Sequence, residues 1–127
     1  MKLKQFDKQQ YLTIETFRKN GEGVKTPVWF AQDGETLHVW TGSGSGKVKR
    51  IRNSGAVRVA PSTAAGEPLG EWVNAQAFAN DAPEKVAYTE TLFRKKYGLV
   101  FRLLSAFNKW RGGVYASVEI RLAAPST

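Results

Sequence analysis

The sequence predicts a mainly β, α+β domain in which an antiparallel sheet or small barrel carries segregated helices. Six short segments alternate apolar and polar residues with the period of a β-strand, and turn residues separate them. Three helical segments give the order β-β-β-α-β-β-α-α-β, which lacks the regular alternation of a doubly wound parallel sheet. A chain of 127 residues suits one domain, residues 1–127.

The six predicted strands are short and are bounded mostly by glycine, proline or asparagine. They cover residues 11–18, 24–31, 36–41, 56–60, 70–79 and 114–122. Tight turns join the first three strands, which indicates an antiparallel meander, and we expect the last strand to pair near the first. Pro27 lies inside the second strand. Because proline has no N–H to give to a ladder, it predicts an edge strand, a bulge or an interruption of the strand pairing.

Three helices are predicted, over residues 47–53, from about residue 82 to 97, and over residues 99–110. The third helix carries an apolar stripe at i, i+3, i+4 and i+7, formed by Val100, Leu103, Leu104 and Phe107. We expect this stripe to pack on the barrel or on a second subunit, with a membrane or a nucleic acid as the alternatives. Residues 124–127 are predicted to form a frayed tail.

Composition argues against several kinds of site. The chain has no cysteine, so it has no disulfide or thiolate site, and His38 is its one imidazole, which disfavours metal binding. Neither a Ser/His/Asp arrangement nor a carboxylate pair is recognisable, so no catalytic residue is predicted. No apolar segment after Met1 has the form of a secretion signal, and none is long enough to span a membrane. The expected location is the cytoplasm.

Positive charge is concentrated in one part of the chain. The net charge is +8, and no Asp or Glu occurs from Thr36 to Gly66. The basic residues of that acid-free window are Lys47, Lys49, Arg50, Arg52 and Arg58. Such a concentration attracts anions. The candidates are a nucleic-acid backbone, a phosphorylated small molecule and an acidic partner.

The segment TGSGSGKVKR, residues 41–50, lies where the third predicted strand meets the first predicted helix. Glycines let backbone N–H groups approach an anion, and a helix start adds the positive end of its dipole. Lys47 and Arg50 are one turn apart and can converge on one phosphate. The spacing excludes a Walker A loop and the dinucleotide fingerprint. Two interpretations remain, a phosphate cradle and a flexible linker before a solvated basic helix.

Five segments, in this order, resemble the pyridoxamine 5′-phosphate oxidase-like split β-barrel family, and most closely its branch of F(420)-dependent enzymes. They are FRKNG at 17–21, TPVWF at 26–30, LHVWT at 37–41, SGKVKRIRN at 45–53 and VRVAP at 57–61. A further similar segment is RKKYG at 94–98. The resemblance implies a six-stranded antiparallel split barrel, the FMN-binding split barrel, with flanking helices. It also implies a homodimer with two cofactor sites at the dimer interface.

The resemblance further implies the residues that bind the cofactor. The residues that would hold its phosphate are Ser45, Gly46, Lys47 and Arg50. Those that would line its ring system are the backbone of Thr26, Pro27 and Val28, with Trp40 and Thr41 beside them. The implied cofactor is coenzyme F(420), with FMN as the alternative, since both carry a phosphate and three fused rings. The implied reaction is hydride transfer between that cofactor and an unknown small organic substrate, with the protein positioning the cofactor.

Two other functions remain open at the level of sequence. One is a non-catalytic cofactor-binding protein, because one fold serves many functions. The other is a single-stranded nucleic-acid binder, with basic residues on phosphates and tryptophans on bases. Further substrate-phosphate residues of the true pyridoxamine phosphate oxidases are not recognisable, which argues against vitamin B6 oxidation. We expect a second copy and a small-molecule substrate as partners, and neither a membrane nor a nucleic acid.

Overall fold

The computed structural model describes residues 2–123, so Met1 and the predicted tail, 124–127, lie outside the described residues. A short 3-10 helix, Lys2–Phe6, comes first. The strands of the described chain are β1 (Tyr11–Phe17), β2 (Gly23–Trp29), β3 (Ala31–Asp33), β4 (Thr36–Gly42), β5 (Ala56–Ser62), β6 (Val73–Asn80) and β7 (Tyr115–Leu122). Its α-helices are α1 (Gly46–Asn53), α2 (Pro83–Tyr97) and α3 (Leu99–Trp110). Within residues 2–123, no helix is long and apolar enough to cross a membrane.

All of these strands form one antiparallel sheet, in the order β2-β1-β5-β6-β7-β4-β3, which curls into a half-barrel with flanking helices. β2 lies at one edge and pairs with β1, where Pro27 is opposite Thr13. This confirms the edge position that the proline predicts. The predicted meander is right in part: β1 pairs with β2, and β3 forms a hairpin with β4, but β4 has β7 as its other neighbour and does not pair with β2. β7 lies between β6 and β4, so it does not pair near β1.

The prediction of six strands is also wrong, because the described chain has seven. The segment 24–31 changes partners at Phe30, so that β2 pairs with β1 and β3 pairs with β4. The N–H of Phe30 donates to the Tyr97 hydroxyl at 3.0 Å, and its carbonyl accepts from Lys96 Nζ at 2.8 Å. Side chains of α2 thus take the place of a neighbouring strand. Apolar alternation within the segment carries no signal of that exchange.

The two faces of the sheet hold separate apolar clusters. The inner face holds the alternating residues that the sequence predicts to point inward, among them Leu12, Ile14, Leu37, Val39, Val57, Val59, Ala75, Ala77, Val118 and Ile120. α1 adds Val48 and Ile51 to this inner cluster. On the outer face, Phe93 of α2 and Phe101 of α3 pack beside Trp40. α1 therefore contacts one face of the sheet, whereas α2 and α3 contact the other.

α3 turns a different side to the protein from the one predicted. Its buried residues are Phe101 and Ser105. The predicted stripe is exposed instead, with Val100 at 61%, Leu103 at 65%, Leu104 at 44% and Phe107 at 53%. The chain turns at Gly98, whose φ of +63° lies in the left-handed region that favours glycine. α3 therefore packs through the narrow side that carries Phe101, and its stripe does not pack on the barrel.

The hydroxyl of Tyr97 ties α2 to the strand exchange at Phe30. It accepts from the buried Phe30 N–H at 3.0 Å and lies 2.8 Å from the carbonyl of Gln10. We expect Tyr97→Phe to lower the free energy of unfolding by about 1–3 kcal/mol, because that N–H loses its partner. Urea denaturation measures the difference. Tyr115→Phe is the control, since the described residues offer the Tyr115 hydroxyl no hydrogen bond; equal losses in both variants would contradict the assignment.

Candidate functional site

The segment between β4 and α1 is a fixed turn. The N–H of Ser45 donates to the carbonyl of Gly42 at 3.1 Å, and the N–H of Ser43 donates to the carbonyl of Val114 at 2.9 Å. Ser45 is the N-cap of α1, where its Oγ accepts from the N–H of Val48 at 3.4 Å. These contacts give the segment a defined turn that leads directly into the helix. The N–H groups in the first turn of α1 have no acceptors within the helix, and these contacts also fix the position of those groups.

At one position of this segment, Gly46, a larger residue would collide with a neighbouring side chain. A Cβ at Gly46 would lie 2.8 Å from Nη1 of Arg50, whereas a Cβ at Gly42 or Gly44 would meet no atom within 4 Å. None of the three needs a positive φ. The guanidinium of Arg50 therefore folds back over the first residue of α1, and the neighbouring backbone is open.

Arg50 is held in place by β1. Its Nε donates to Oγ1 of Thr16 at 2.7 Å, and Thr16 is fully buried. No acid pairs with Arg50 among residues 2–123, so its two terminal nitrogens remain available at the start of α1. Thr16 was missed at the sequence level. Its signal was a polar residue at an inward position of the first predicted strand, in register with Leu12 and Ile14.

Lys47 is the second cation at this helix start. Burial desolvates its ammonium group and lowers the pKa of Lys47, and the neighbouring charge of Arg50 lowers it further. The two cations disfavour each other, since neither has an acidic partner among residues 2–123, and a bound anion would relieve that repulsion. The donor set fits a phosphate, since Arg50 offers a planar fork and Lys47 a point charge beside a helix N-terminus.

Two of the five basic residues in the acid-free window pair with acidic side chains. Arg52 lies 3.6 Å from Asp81, and Arg58 lies 2.6 Å from Glu15. Both acids come from outside the window. The window's cations without an acidic partner in residues 2–123 are Lys47, Lys49 and Arg50. The uncompensated charge of the window therefore lies on α1.

β2 lies beside the strand that anchors Arg50. In the pairing of β1 with β2, Val24 is opposite Thr16, the residue that anchors Arg50. Thr26 lies two residues further along β2, opposite Ile14. Thr26 and Val28 are half-buried, and Pro27 between them is exposed. Thr41, 8% exposed, ends the inward alternation of β4 just before the turn into α1. β2 thus pairs with the strand that anchors Arg50 of α1, and the end of β4 leads into the turn before α1. These are the two elements predicted to line the ring system.

Trp40 is directed elsewhere. Its ring stacks on Tyr115 with centroids 3.9 Å apart, and its Nε1 donates to Oε2 of Glu90 at 3.0 Å. Glu90 also accepts from Lys109 Nζ at 2.9 Å. Next to these residues lies an open cleft of about 400 Å³, lined in part by Glu90, Lys109 and Tyr115. The structure therefore places the Trp40 side chain on the outer face of β4, away from Lys47 and Arg50.

His38 also lies on the outer face of β4. It is 5% exposed, its ring meets the edge of Tyr88, and its Nδ1 has no hydrogen-bond partner among the described residues. Burial lowers the pKa of His38 and so favours the neutral ring. Within residues 2–123 there is no group of three or more His, Cys, Asp and Glu side chains that could hold a metal ion.

Solved structures of the same shape identify the fold. HutZ, the heme storage protein of Vibrio cholerae, matches with a TM-score of 0.72 and 12% identity, over 98% of this chain and 93% of HutZ. An F420 reductase matches with a TM-score of 0.62 and 17% identity, over 95% and 92% of the two chains. A proposed pyridoxamine 5′-phosphate oxidase from Listeria innocua matches with a TM-score of 0.61 and 15% identity, over 96% and 90%. The fold is that of the pyridoxamine 5′-phosphate oxidase-like split barrels.

The predicted resemblance is therefore confirmed as a resemblance of fold. The names of the neighbouring structures point to different roles, oxidoreductases on one side and heme storage on the other. No family model matches the chain, and no curated protein matches its sequence. Because the split-barrel fold supports more than one function, the function must be argued from the residues at α1 and β2.

Proposed function

We propose that this split barrel binds coenzyme F(420) through its phosphate and acts as an oxidoreductase on a small organic substrate, with FMN as the alternative cofactor. The observation that carries the proposal is the pair of Lys47 and Arg50, two adjacent cations without an acidic partner among residues 2–123, at the capped N-terminus of α1. F(420) is preferred because it carries an anionic tail in addition to its phosphate. Lys49, also without an acidic partner among these residues, adds positive charge on the same helix.

The chain's own residues have distinct roles in this proposal. The residues that hold the phosphate are Ser45, Gly46, Lys47 and Arg50. Thr16 orients Arg50 through the bond to its Nε. The backbone of residues 26–28 and Thr41 lie along the ring system, whereas Trp40 supports β4 from its outer face. The bound cofactor supplies the hydride chemistry, and the protein binds and orients it.

A second copy of the chain is part of the same proposal. β2 is an edge strand, so one side of its backbone has no neighbouring strand in the part of the chain that the structure describes. A second copy that covers this edge would shield the ring system from water and complete the site. We expect the cofactor-loaded protein to be a homodimer with two bound cofactors, as measured by light scattering coupled to gel filtration.

Haem is a weaker candidate for this chain, although one neighbouring structure is named for heme storage. Protein ligands to haem iron are most often histidine or cysteine. The chain has no cysteine, and its one histidine, His38, is 5% exposed and lies behind Tyr88. The residues on α1 also favour a small anion over a nucleic acid, because the window's uncompensated charge is confined to one short helix.

The proposal is tested by titrating the purified protein with F(420) and with FMN while recording absorbance and fluorescence. We expect one of them to bind at micromolar concentration or tighter and to be reduced or oxidised in the presence of a suitable substrate. Binding without turnover over a broad panel of electron donors and acceptors would favour the non-catalytic alternative. The proposal fails if neither cofactor binds.

Gly46 provides a local test. We expect Gly46→Ala to lower cofactor affinity by about tenfold, because the new Cβ displaces the Arg50 guanidinium and weakens its charge-assisted hydrogen bonds. Stability should change little, since the clash involves the end of a flexible side chain and alanine favours the helix. Gly44→Ala is the matched control, because its Cβ meets open space. The same loss of affinity in both variants would show that the position of Arg50 is irrelevant.

A further inference from the structure

α3 presents an apolar face to solvent. Its members are large side chains exposed by 44 to 82%: Leu99, Val100, Leu103, Leu104, Phe107 and Trp110. Isolated exposed apolar residues are ordinary on protein surfaces, but a contiguous group of this size marks an interaction surface. We call this group the α3 face.

The α3 face points away from the protein. α3 is attached through Phe101 and Ser105, which are buried. At about 100° per residue, Leu103 and Phe107 lie roughly on the opposite side of the helix. Trp110 is the most exposed member, at 82%. A flat surface can therefore reach the whole face without displacing α2 or the sheet.

The part of the chain that contains α3 carries basic residues and no acidic ones. Residues 91–118 contain no Asp or Glu. The basic residues of this second acid-free window are Arg94, Lys95, Lys96, Arg102, Lys109 and Arg111. Lys109 pairs with Glu90, and Lys96 caps the carbonyl of Phe30. Arg102 is exposed on α3, the guanidinium of Arg111 lies over the Phe107 ring at 5.8 Å, and the described residues give neither arginine an acidic partner.

We propose that the α3 face docks on an anionic membrane surface, with α3 lying in the plane of the lipid headgroups. An apolar stripe flanked by basic side chains is the pattern of helices that bind at this interface. The apolar side chains enter the acyl boundary, Arg102 and Arg111 meet the lipid phosphates, and Trp110 lies at the headgroup level. This proposal revises the expectation of no membrane partner, and it does not depend on the identity of the cofactor.

The flanking charges decide between the candidate occupants. A second copy docked through the same face would bring the basic side chains of one copy close to the basic, acid-free segment of the other, where like charges repel. A nucleic acid would bind the arginines but would leave the apolar centre of the face without a partner, since its affinity comes mainly from phosphate contacts. An anionic lipid surface satisfies both the apolar centre and its basic edges.

Vesicle co-sedimentation tests the proposal, with phosphatidylcholine vesicles with and without phosphatidylglycerol. We expect the wild-type protein to bind the anionic vesicles and to bind the neutral ones at least about tenfold more weakly. Leu103→Ser with Trp110→Ser should weaken binding to anionic vesicles by more than about tenfold, because two apolar side chains no longer enter the bilayer. Leu69→Ser is the control, since Leu69 is 57% exposed elsewhere on the protein.

The charge contribution has its own pair of variants. Arg102→Gln with Arg111→Gln should weaken binding to anionic vesicles, whereas Lys4→Gln with Lys19→Gln, the same change of charge elsewhere, should not. Unchanged F(420) or FMN affinity and unchanged circular dichroism confirm that each variant is folded. The proposal is overturned if anionic vesicles do not bind the protein, or if the α3 variants bind them as the wild type does. It is also overturned if those variants convert a dimer into a monomer, or if they abolish binding to an oligonucleotide rather than to lipid.

Discussion

Replacing both cations at the start of α1, Lys47→Ala with Arg50→Ala, is expected to raise the dissociation constant of the cofactor by about 100-fold or more. Each hydrogen bond to a charged group contributes about 1.5–3 kcal/mol, and the pair supplies at least two of them. The fold should survive, because the double variant removes one hydrogen bond, from Arg50 to Thr16, and no ion pair within residues 2–123. Fluorescence titration measures the affinity, and circular dichroism checks the fold.

The same helix offers a matched control. Lys49→Ala with Arg52→Ala removes two positive charges from α1, but Lys49 is exposed and Arg52 already pairs with Asp81. FMN affinity should change by less than about threefold in this variant, because exposed charges are screened. A somewhat larger loss for F(420) is expected, since its tail carries extra negative charge. Equal losses of FMN affinity in the two double variants would show that net charge, and not the positions of Lys47 and Arg50, explains the binding.

Cofactor affinity should also fall as the pH rises toward the pKa of Lys47. Desolvation and the neighbouring Arg50 lower that pKa, so the ammonium loses its proton at a lower pH than an ordinary lysine does. The bound phosphate favours the charged form, so binding is accompanied by proton uptake in that range. In Lys47→Arg the alkaline loss should disappear, because arginine keeps its charge. A pH profile unchanged by this substitution would exclude Lys47 from the site.

The second large effect concerns stability. Phe101→Ala is expected to lower the free energy of unfolding by about 3–5 kcal/mol, the usual cost of removing a buried phenylalanine. Phe101 is fully buried, with ring centroids 5.1 Å from Trp40 and 5.2 Å from Phe93. It is the main apolar attachment of α3 to the rest of the protein. Urea denaturation at constant m-value measures the loss.

Phe107→Ala is the matched control, since it makes the same change on the same helix. Phe107 is 53% exposed, so the expected loss is within about 0.5 kcal/mol. Equal losses in the free energy of unfolding of the two variants would mean that α3 packs through its apolar stripe, as the sequence predicts. That outcome would also remove the apolar face on which the membrane proposal rests.

The sequence predicted most helices and strands because their patterns are local. Alternation places Val118 and Ile120 inward on β7, and the spacing of Val48 and Ile51 gives the buried side of α1. The errors came from contacts distant in sequence. The exchange at Phe30 depends on side chains 66 and 67 residues away, and the pairing of β4 with β7 joins segments that are separated by three helices and two strands. On α3 the periodicity was clear, but it does not say which surface the helix meets.

For the candidate site, the sequence indicated which residue types could bind a phosphate but not how they are held. Lys47 and Arg50 follow from helical spacing alone. The anchor at Thr16 joins residues 34 positions apart and emerges only when β1 meets α1. For Trp40 the two kinds of sequence evidence disagreed. Strand alternation predicted that Trp40 and Thr41 point to different faces of β4, whereas the family resemblance implied that both lie beside the cofactor ring. The hydrogen bond to Glu90 and the stacking on Tyr115 hold the Trp40 ring on the outer face.

The phosphate-binding role of α1 is tested most directly by comparing each cofactor with its form that lacks the phosphate. Riboflavin is FMN without the phosphate, and the deazaflavin core of F(420) is likewise available without it. We predict that FMN or F(420) binds at least about 100-fold more tightly than its dephosphorylated counterpart, and that this difference disappears in Lys47→Ala with Arg50→Ala. Equal affinity of the wild-type protein for the two forms would contradict a phosphate cradle at the start of α1.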